Sequence, residues 1–210
     1  AGTGTTSHDV YFGTSNPPAF QGNQSGTSFD PGSLDLNQTY YWRIDEVNAT
    51  GVTTGSVWSF STATSAATNL NRYSLTNLNT GDEYYFDRDY TITAMPSSLE
   101  GAPGIKSNNS HDRWVEDTEW LTFDLNVPAD VYIAYDHRGD PAYGGQLPQW
   151  LSNDFTDTGM TISVTDGDAN PFKLYVNSYG IGPVILGGNY MPPATGAGSN
   201  YFVLLDPISP

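Results

Sequence analysis

The chain has 210 residues, 7 of them Lys or Arg against 23 Asp or Glu, giving a net charge of −16, and it contains no cysteine. A field of that sign repels phosphate backbones and anionic lipid, so neither nucleic acid nor a membrane is an expected partner. The lack of cysteine excludes disulfides, thiol catalysis and Cys-ligated zinc. Gly and Pro supply 22 and 14 residues, and Tyr, Phe and Trp supply 14, 9 and 5. With no sustained helical periodicity, this mixture of turn formers and aromatics predicts an all-β protein of short strands and tight turns. No apolar run approaches a membrane span, and residue 1 does not open a signal peptide, so the expectation is a segment of a longer protein.

In chain order, the first strand signal is His8–Gly13. The second is Thr39–Val47, where Tyr40, Trp42 and Ile44 alternate with Tyr41, Arg43 and Asp45. That alternation makes Trp42 an expected core residue alongside Tyr40 and Ile44. A Gly-punctuated turn at 48–51 leads to a third signal at 57–61. The stretches "SHDVYFGTS", "LDLNQTYYWRIDEVNATG" and "GSVWSFST" resemble the back half of a fibronectin-type-III-like domain. The resemblance implies two earlier strands, which residues 1–4 are too short to supply. Apolar edges left bare by such a truncation would favour self-association. The polar, aperiodic run 63–71 reads as a linker.

A second domain is expected over 72–210. Strand signals lie at 90–95, 119–127, 130–136, 160–165, 172–176, 184–186 and 201–205. Turn clusters separate them at 126–130, 166–171 and 187–189. The pattern predicts a β-sandwich, jelly-roll in type. In 119–127, Leu121, Phe123, Leu125 and Val127 fall on the core face. Trp120 falls on the polar face, as a sugar platform or a lid over its neighbours. Trp150, within "PQWL", reads as core.

Four stretches, "GDEYYFDRDYTITAMPSSLEGAPGIKS", "LTFDLNVPADVYIAYDHR", "PQWLSNDFTDTG" and "FKLYVNSYGIGPVILGGN", carry a second resemblance. They resemble a carbohydrate-binding-type module found beside polysaccharide lyases, glycoside hydrolases and sulfatases of marine bacteria. The chain departs from that pattern at Asp136-His137-Arg138, where Asp-Asp-Arg is usual, and in the loop "SNNSHDRWVEDTEW". The resemblance implies a secreted, extracellular, non-catalytic polysaccharide binder that is part of a larger multidomain enzyme.

A sugar site combines aromatic faces with planar polar groups. Lys106, Asn108, Asn109, His111, Asp112, Arg113 and Trp114 have that composition within nine residues. Trp120 and Arg138 are candidate neighbours, Arg138 being either a ligand for sugar or a clamp on Asp136 or Asp140. The acidic surface favours a neutral or lightly charged galactan. No cofactor is required. The carboxylates of 154–157 and 166–170 sit in turns that suit calcium, without the spacing of a twelve-residue calcium loop. His8, His111 and His137 are too dispersed for zinc. Two other readings stand beside the binder. One is an assembly domain that pairs through its incomplete sandwich. The other is a lyase or hydrolase in which His111-Asp112-Arg113 meets Asp136-His137-Arg138.

Overall fold

The ten residues Thr39–Asn48 form the longest strand, as their alternation predicts. The structure, a computed structural model, describes residues 4–32, 34–62 and 64–208. Residues 1–3, expected to be too short for a strand, and Ala63, expected in the linker, lie outside them. Two compact units result, one ending at Ser65 and one running from Ala66 to Ile208.

In the first unit, β1 (Ser7–Gly13), β2 (Phe20–Gln24), β3 (Thr39–Asn48), β4 (Gly51–Thr53) and β5 (Trp58–Ser61) form one antiparallel sheet. Strand β3 pairs with β1, β4 and β5. The register sets Phe12 opposite Trp42, Trp42 opposite Trp58 and Tyr40 opposite Phe60, so these rings share one face. Tyr40 is only 6% exposed, stacked between Phe12 and Phe60 at centroid distances of 5.2 and 5.8 Å. Trp42 corrects the sequence expectation. It is 39% exposed and stacks on Trp58, itself 62% exposed, at 6.4 Å. Periodicity identifies the face a residue occupies, whereas burial needs a second layer. Among the described residues this unit has a single sheet.

The second unit begins with β6 (Ala67–Thr68), β7 (Leu75–Asn77), β8 (Ile92–Ala94), β9 (Pro103–Ile105) and β10 (Leu121–Leu125). It continues with β11 (Ala129–Asp136), the short helix α1 (Gln149–Asp154), β12 (Thr156–Val164), β13 (Phe172–Tyr179), β14 (Gly182–Leu186) and β15 (Phe202–Pro207). A seven-stranded antiparallel sheet runs β7-β9-β15-β11-β13-β12-β8, and a three-stranded sheet runs β14-β10-β6. The fold class is therefore all-β, of sandwich type, as expected. Helix α1 follows Pro148, whose fixed φ suits the start of a helix.

Strand β11 is central and buries both faces, including Val131, Ile133, Ala134 and Tyr135. One core joins Ala134, Ile162, Phe172, Leu174, Phe202 and Leu204 to Tyr84, Tyr85 and Leu99 from the long segment before β9. On β10, Leu121, Phe123 and Leu125 are buried as predicted, as are Val184 and Leu186 on β14. Trp150 is half-buried. Its ring packs on Tyr201 at 5.4 Å, and its indole N–H donates to the Gly188 carbonyl at 3.1 Å.

Residues 66–71 are a second correction. Within the expected linker, Ala67–Thr68 form the edge strand of the three-stranded sheet, with Ala66 and Ala67 buried and Ala67 paired with Leu125. Asn71 bonds the Thr122 backbone through its own N–H and its side-chain oxygen, each at 3.0 Å. Small polar residues carry little periodic signal, yet a bare edge strand must still satisfy its backbone groups.

The same segment explains the third correction. Trp120, a candidate outward platform, is 1% exposed. Its ring meets Tyr201 and Tyr73 edge-on at 5.1 and 5.7 Å, and the Arg72 guanidinium lies over it at 5.2 Å. Residues 71–73 thus cover the face that alternation alone leaves open. Trp120 is a core residue.

Candidate functional site

Strand β11 ends at Asp136, whose fully buried carboxylate organises the adjoining loops. It accepts Arg138 Nε at 3.0 and 3.1 Å and Arg138 Nη2 at 2.6 Å. It also accepts the backbone N–H groups of Arg138 at 3.0 Å and of Gly198 and Ser199 at 2.9 Å each. A buried carboxylate is costly unless its oxygens are hydrogen-bonded, and these six contacts satisfy both. The Asp136 hydrogen bond, opposed by burial and reinforced by the charges of Asp136, Asp166 and Asp168, holds the Arg138 guanidinium above its ordinary pKa. Arg138 is therefore a permanent cation fixed in orientation. Gly198 permits this, because a Cβ there would approach Arg138 Nη2 to 2.8 Å.

The loop 106–114 is anchored from a second side. Asp87 accepts the backbone N–H groups of Asn109 and Ser110 at 2.8 Å each. Burial pushes the Asp87 carboxyl up, but those two donors, the Ser110 hydroxyl and Arg88 hold it below the usual carboxylate range. Asn109 is buried and accepts the Asn200 N–H at 2.9 Å, while Asn200 donates its amide to the Asn108 carbonyl at 2.9 Å. These bonds join the loop to the segment entering β15.

Together the two anchors shape a cleft of about 210 Å³ lined by Arg88, Tyr90, Asn109, Arg113, Arg138, Asp166, Asp168, Gly198 and Ser199. Three guanidinium groups and two carboxylates face it. Arg113 Nη1 donates to the Gly198 carbonyl at 3.3 Å. Its guanidinium also lies over the Trp114 ring at 5.0 Å. Trp114 is 50% exposed and meets the Tyr190 ring in a T-shaped contact at 5.0 Å.

Of the residues expected to bind ligand, Asn109, Arg113 and Arg138 converge on this cleft, and Trp114 flanks it through Arg113. The others do not line it. Lys106 pairs with Glu83 at 3.8 Å and lines a separate depression with Leu78 and Asp82. Asn108 and Asp112 serve the loop, Asp112 accepting the Tyr73 hydroxyl. His111 is exposed, and Trp120 is core. The cleft residues Arg88, Tyr90, Asp166, Asp168 and Ser199 were not anticipated as ligands. Asp166 and Asp168 were seen only as turn or calcium carboxylates. Among the described residues no three His, Cys, Asp or Glu side chains gather as a metal cage. Asp157, from the other acidic turn, instead binds Lys173 at 2.7 Å.

No family model matches the chain. It is 26% identical over 98 residues to a β-glucuronidase of Formosa agariphila, a match covering 46% of this chain and 9% of that protein. Its fold is similar to a β-glucuronidase from glycoside hydrolase family 2, with a TM-score of 0.56 at 13% identity, covering 97% of this chain and 36% of the other. A GH138 enzyme targeting pectin rhamnogalacturonan II aligns with a TM-score of 0.45 at 18% identity, over 66% of this chain and 16% of that one. The chain thus spans a small part of the curated relative and about a third of the family 2 structure, and its similarity is to segments of carbohydrate-active enzymes.

Proposed function

We propose that residues 66–208 form a non-catalytic polysaccharide-binding module that holds an attached carbohydrate-active enzyme on an extracellular glycan. The observation that carries this reading is the cleft itself. Three arginines and two aspartates line it, and the half-exposed Trp114 adjoins Arg113. A sugar's hydroxyls both donate and accept, so they match Asp and Arg together, and its C–H face matches an indole. The sequence similarity to part of a β-glucuronidase supports a carbohydrate context. Catalysis is not favoured. Arg138 and Asp136 satisfy one another as a structural pair, which leaves neither free as acid or base. The test is affinity electrophoresis of the 210-residue chain against algal and plant polysaccharides, with assay of the same glycans for new reducing ends or unsaturated products. Retardation without products is expected. Product formation would replace this reading with an enzymatic one.

A second reading is favoured by the first unit, where Trp42, Trp58 and Phe60 are exposed on one sheet face. Two copies that closed these faces on one another would form a sandwich from two single sheets. Light scattering across a concentration series distinguishes a dimer from a monomer.

A further inference from the structure

Building on the polysaccharide-binding reading, we infer that the arginine cleft takes an oxyanion substituent of the glycan, a carboxylate or a sulfate ester, on a sugar that keeps free hydroxyls. The chain has only 7 Lys and Arg residues in a field of net charge −16, and three of them line this one cleft. Elsewhere, Arg43, Lys106 and Lys173 are each paired with a carboxylate.

Arg113 is the distinguishing residue. Among the described residues it forms no ion pair, and its Nε is buried without a hydrogen-bond partner. Its Nη1 donates to the Gly198 carbonyl at 3.3 Å, which leaves Nη2 to meet an acceptor in the cleft, and the strongest match to a guanidinium is a carboxylate or a sulfate. Arg88 is less available, since it pairs with Asp87 at 3.5 Å and its Nη1 donates to the Asp87 carbonyl at 2.7 Å. Arg138 differs, since Asp136 neutralises it, and it orients the cleft wall instead of supplying free charge.

Asp166 and Asp168 set the other half of the selectivity. Two carboxylates in the same cleft repel a second anion but accept hydrogen bonds from sugar hydroxyls. The arrangement suits one charged substituent per sugar with hydroxyls around it, and it disfavours a densely sulfated chain. The volume of about 210 Å³ lies below the roughly 300–1,000 Å³ of drug-sized sites, which fits a single sugar unit entering from a chain. Of the ligands expected from surface charge, a neutral or lightly charged galactan, the neutral one leaves Arg113 unmatched.

Titration calorimetry of the 210-residue chain with polygalacturonate, a monosulfated galactan and neutral agarose tests the inference. At least one acidic glycan should bind while agarose does not, and which one binds separates carboxylate from sulfate. Affinity should fall as ionic strength rises from about 0.1 M to about 1 M, where the screening length shrinks from about 10 Å to about 3 Å. Arg113→Ala should weaken binding about tenfold or more, with only a small drop in melting temperature from losing its 3.3 Å bond to the Gly198 carbonyl and its contact with the Trp114 ring. Arg113→Lys, which keeps a cation and loses the planar fork, serves as the second variant should Arg113→Ala fail to fold. Equal binding of agarose, or full affinity in both variants, overturns the inference and leaves polysaccharide binding standing. No binding by any of a broad neutral and acidic panel removes both.

Discussion

Arg138 and Asp136 are two residues apart in sequence and bonded through three guanidinium contacts of 2.6–3.1 Å, and the carboxylate they share is entirely buried. This pair is the hinge between the central strand and the segment 198–200. Removing one partner strands the other, which typically costs about 3–5 kcal/mol for a buried pair. Asp136→Ala should approach that loss, and Arg138→Ala should fall below it because that side chain is partly exposed. Urea denaturation monitored by tryptophan fluorescence reads both. Of the two roles the sequence leaves open for Arg138, ligand for sugar or clamp on Asp136 or Asp140, the geometry shows the clamp on Asp136.

Trp120→Ala should cost about 3–5 kcal/mol, the usual loss for a large buried aromatic. Trp120→Phe should be considerably milder, because the indole N–H has no hydrogen-bond partner to lose. A melting series of the three proteins checks the order. Glycan affinity of the folded Trp120→Phe variant should be unchanged, as the ring does not line the cleft.

In the first unit alternation places Tyr40 and Trp42 in the core together, and the structure separates them. Tyr40→Ala should destabilise more than Trp42→Ala, since Tyr40 is buried and Trp42 is partly exposed. A double-mutant cycle on Trp42 and Trp58 should return a coupling of about 0.5–1.5 kcal/mol, the range for stacked aromatic pairs.

Acid sensitivity should centre on Lys173, which reaches Asp140 and Asp157 at 2.7 Å each. Burial pushes both carboxyls up. For Asp140 the Lys173 ammonium, the Tyr175 hydroxyl and the Ala142 N–H overcome it, and for Asp157 Lys173 and the Gly159 N–H do so. Both are thus held below the ordinary carboxylate range. Groups depressed in the folded state contribute stability that is complete above the unfolded value of about 3.9 and is lost as pH falls through the lower folded values. Wild-type denaturation midpoints should fall steeply below about pH 4, and Lys173→Met should flatten that slope. An unchanged slope in the variant would locate the acid-sensitive groups elsewhere.

The strands from β10 onward were legible because Leu121, Phe123 and Leu125 alternate cleanly and turn residues bracket each run. Burial was less so. Trp42 and Trp120 occupy similar alternating patterns, yet one is exposed for want of a covering layer and the other is sealed by residues 71–73. The loop carrying Asn109 and Arg113 was identifiable from its composition. Arg88, Asp166 and Ser199 were not, because they reach the same cleft from sequence positions tens of residues apart. What unites them is Asp136 and Asp87 binding backbone groups of distant loops, which no local pattern encodes.

The central claim is that the cleft between 87–90, 109–113 and 198–199 is where a glycan docks. The most direct measurement is a titration of the isotope-labelled 210-residue chain with an oligosaccharide of whichever glycan it retains, followed by amide and arginine side-chain NMR shifts. The account predicts that the largest changes fall on Arg88, Asn109, Arg113, Gly198 and Ser199, with the Trp114 indole moving alongside. Changes concentrated on Trp42 and Trp58, or around Lys106 and Glu83, with the cleft signals unmoved, would contradict it.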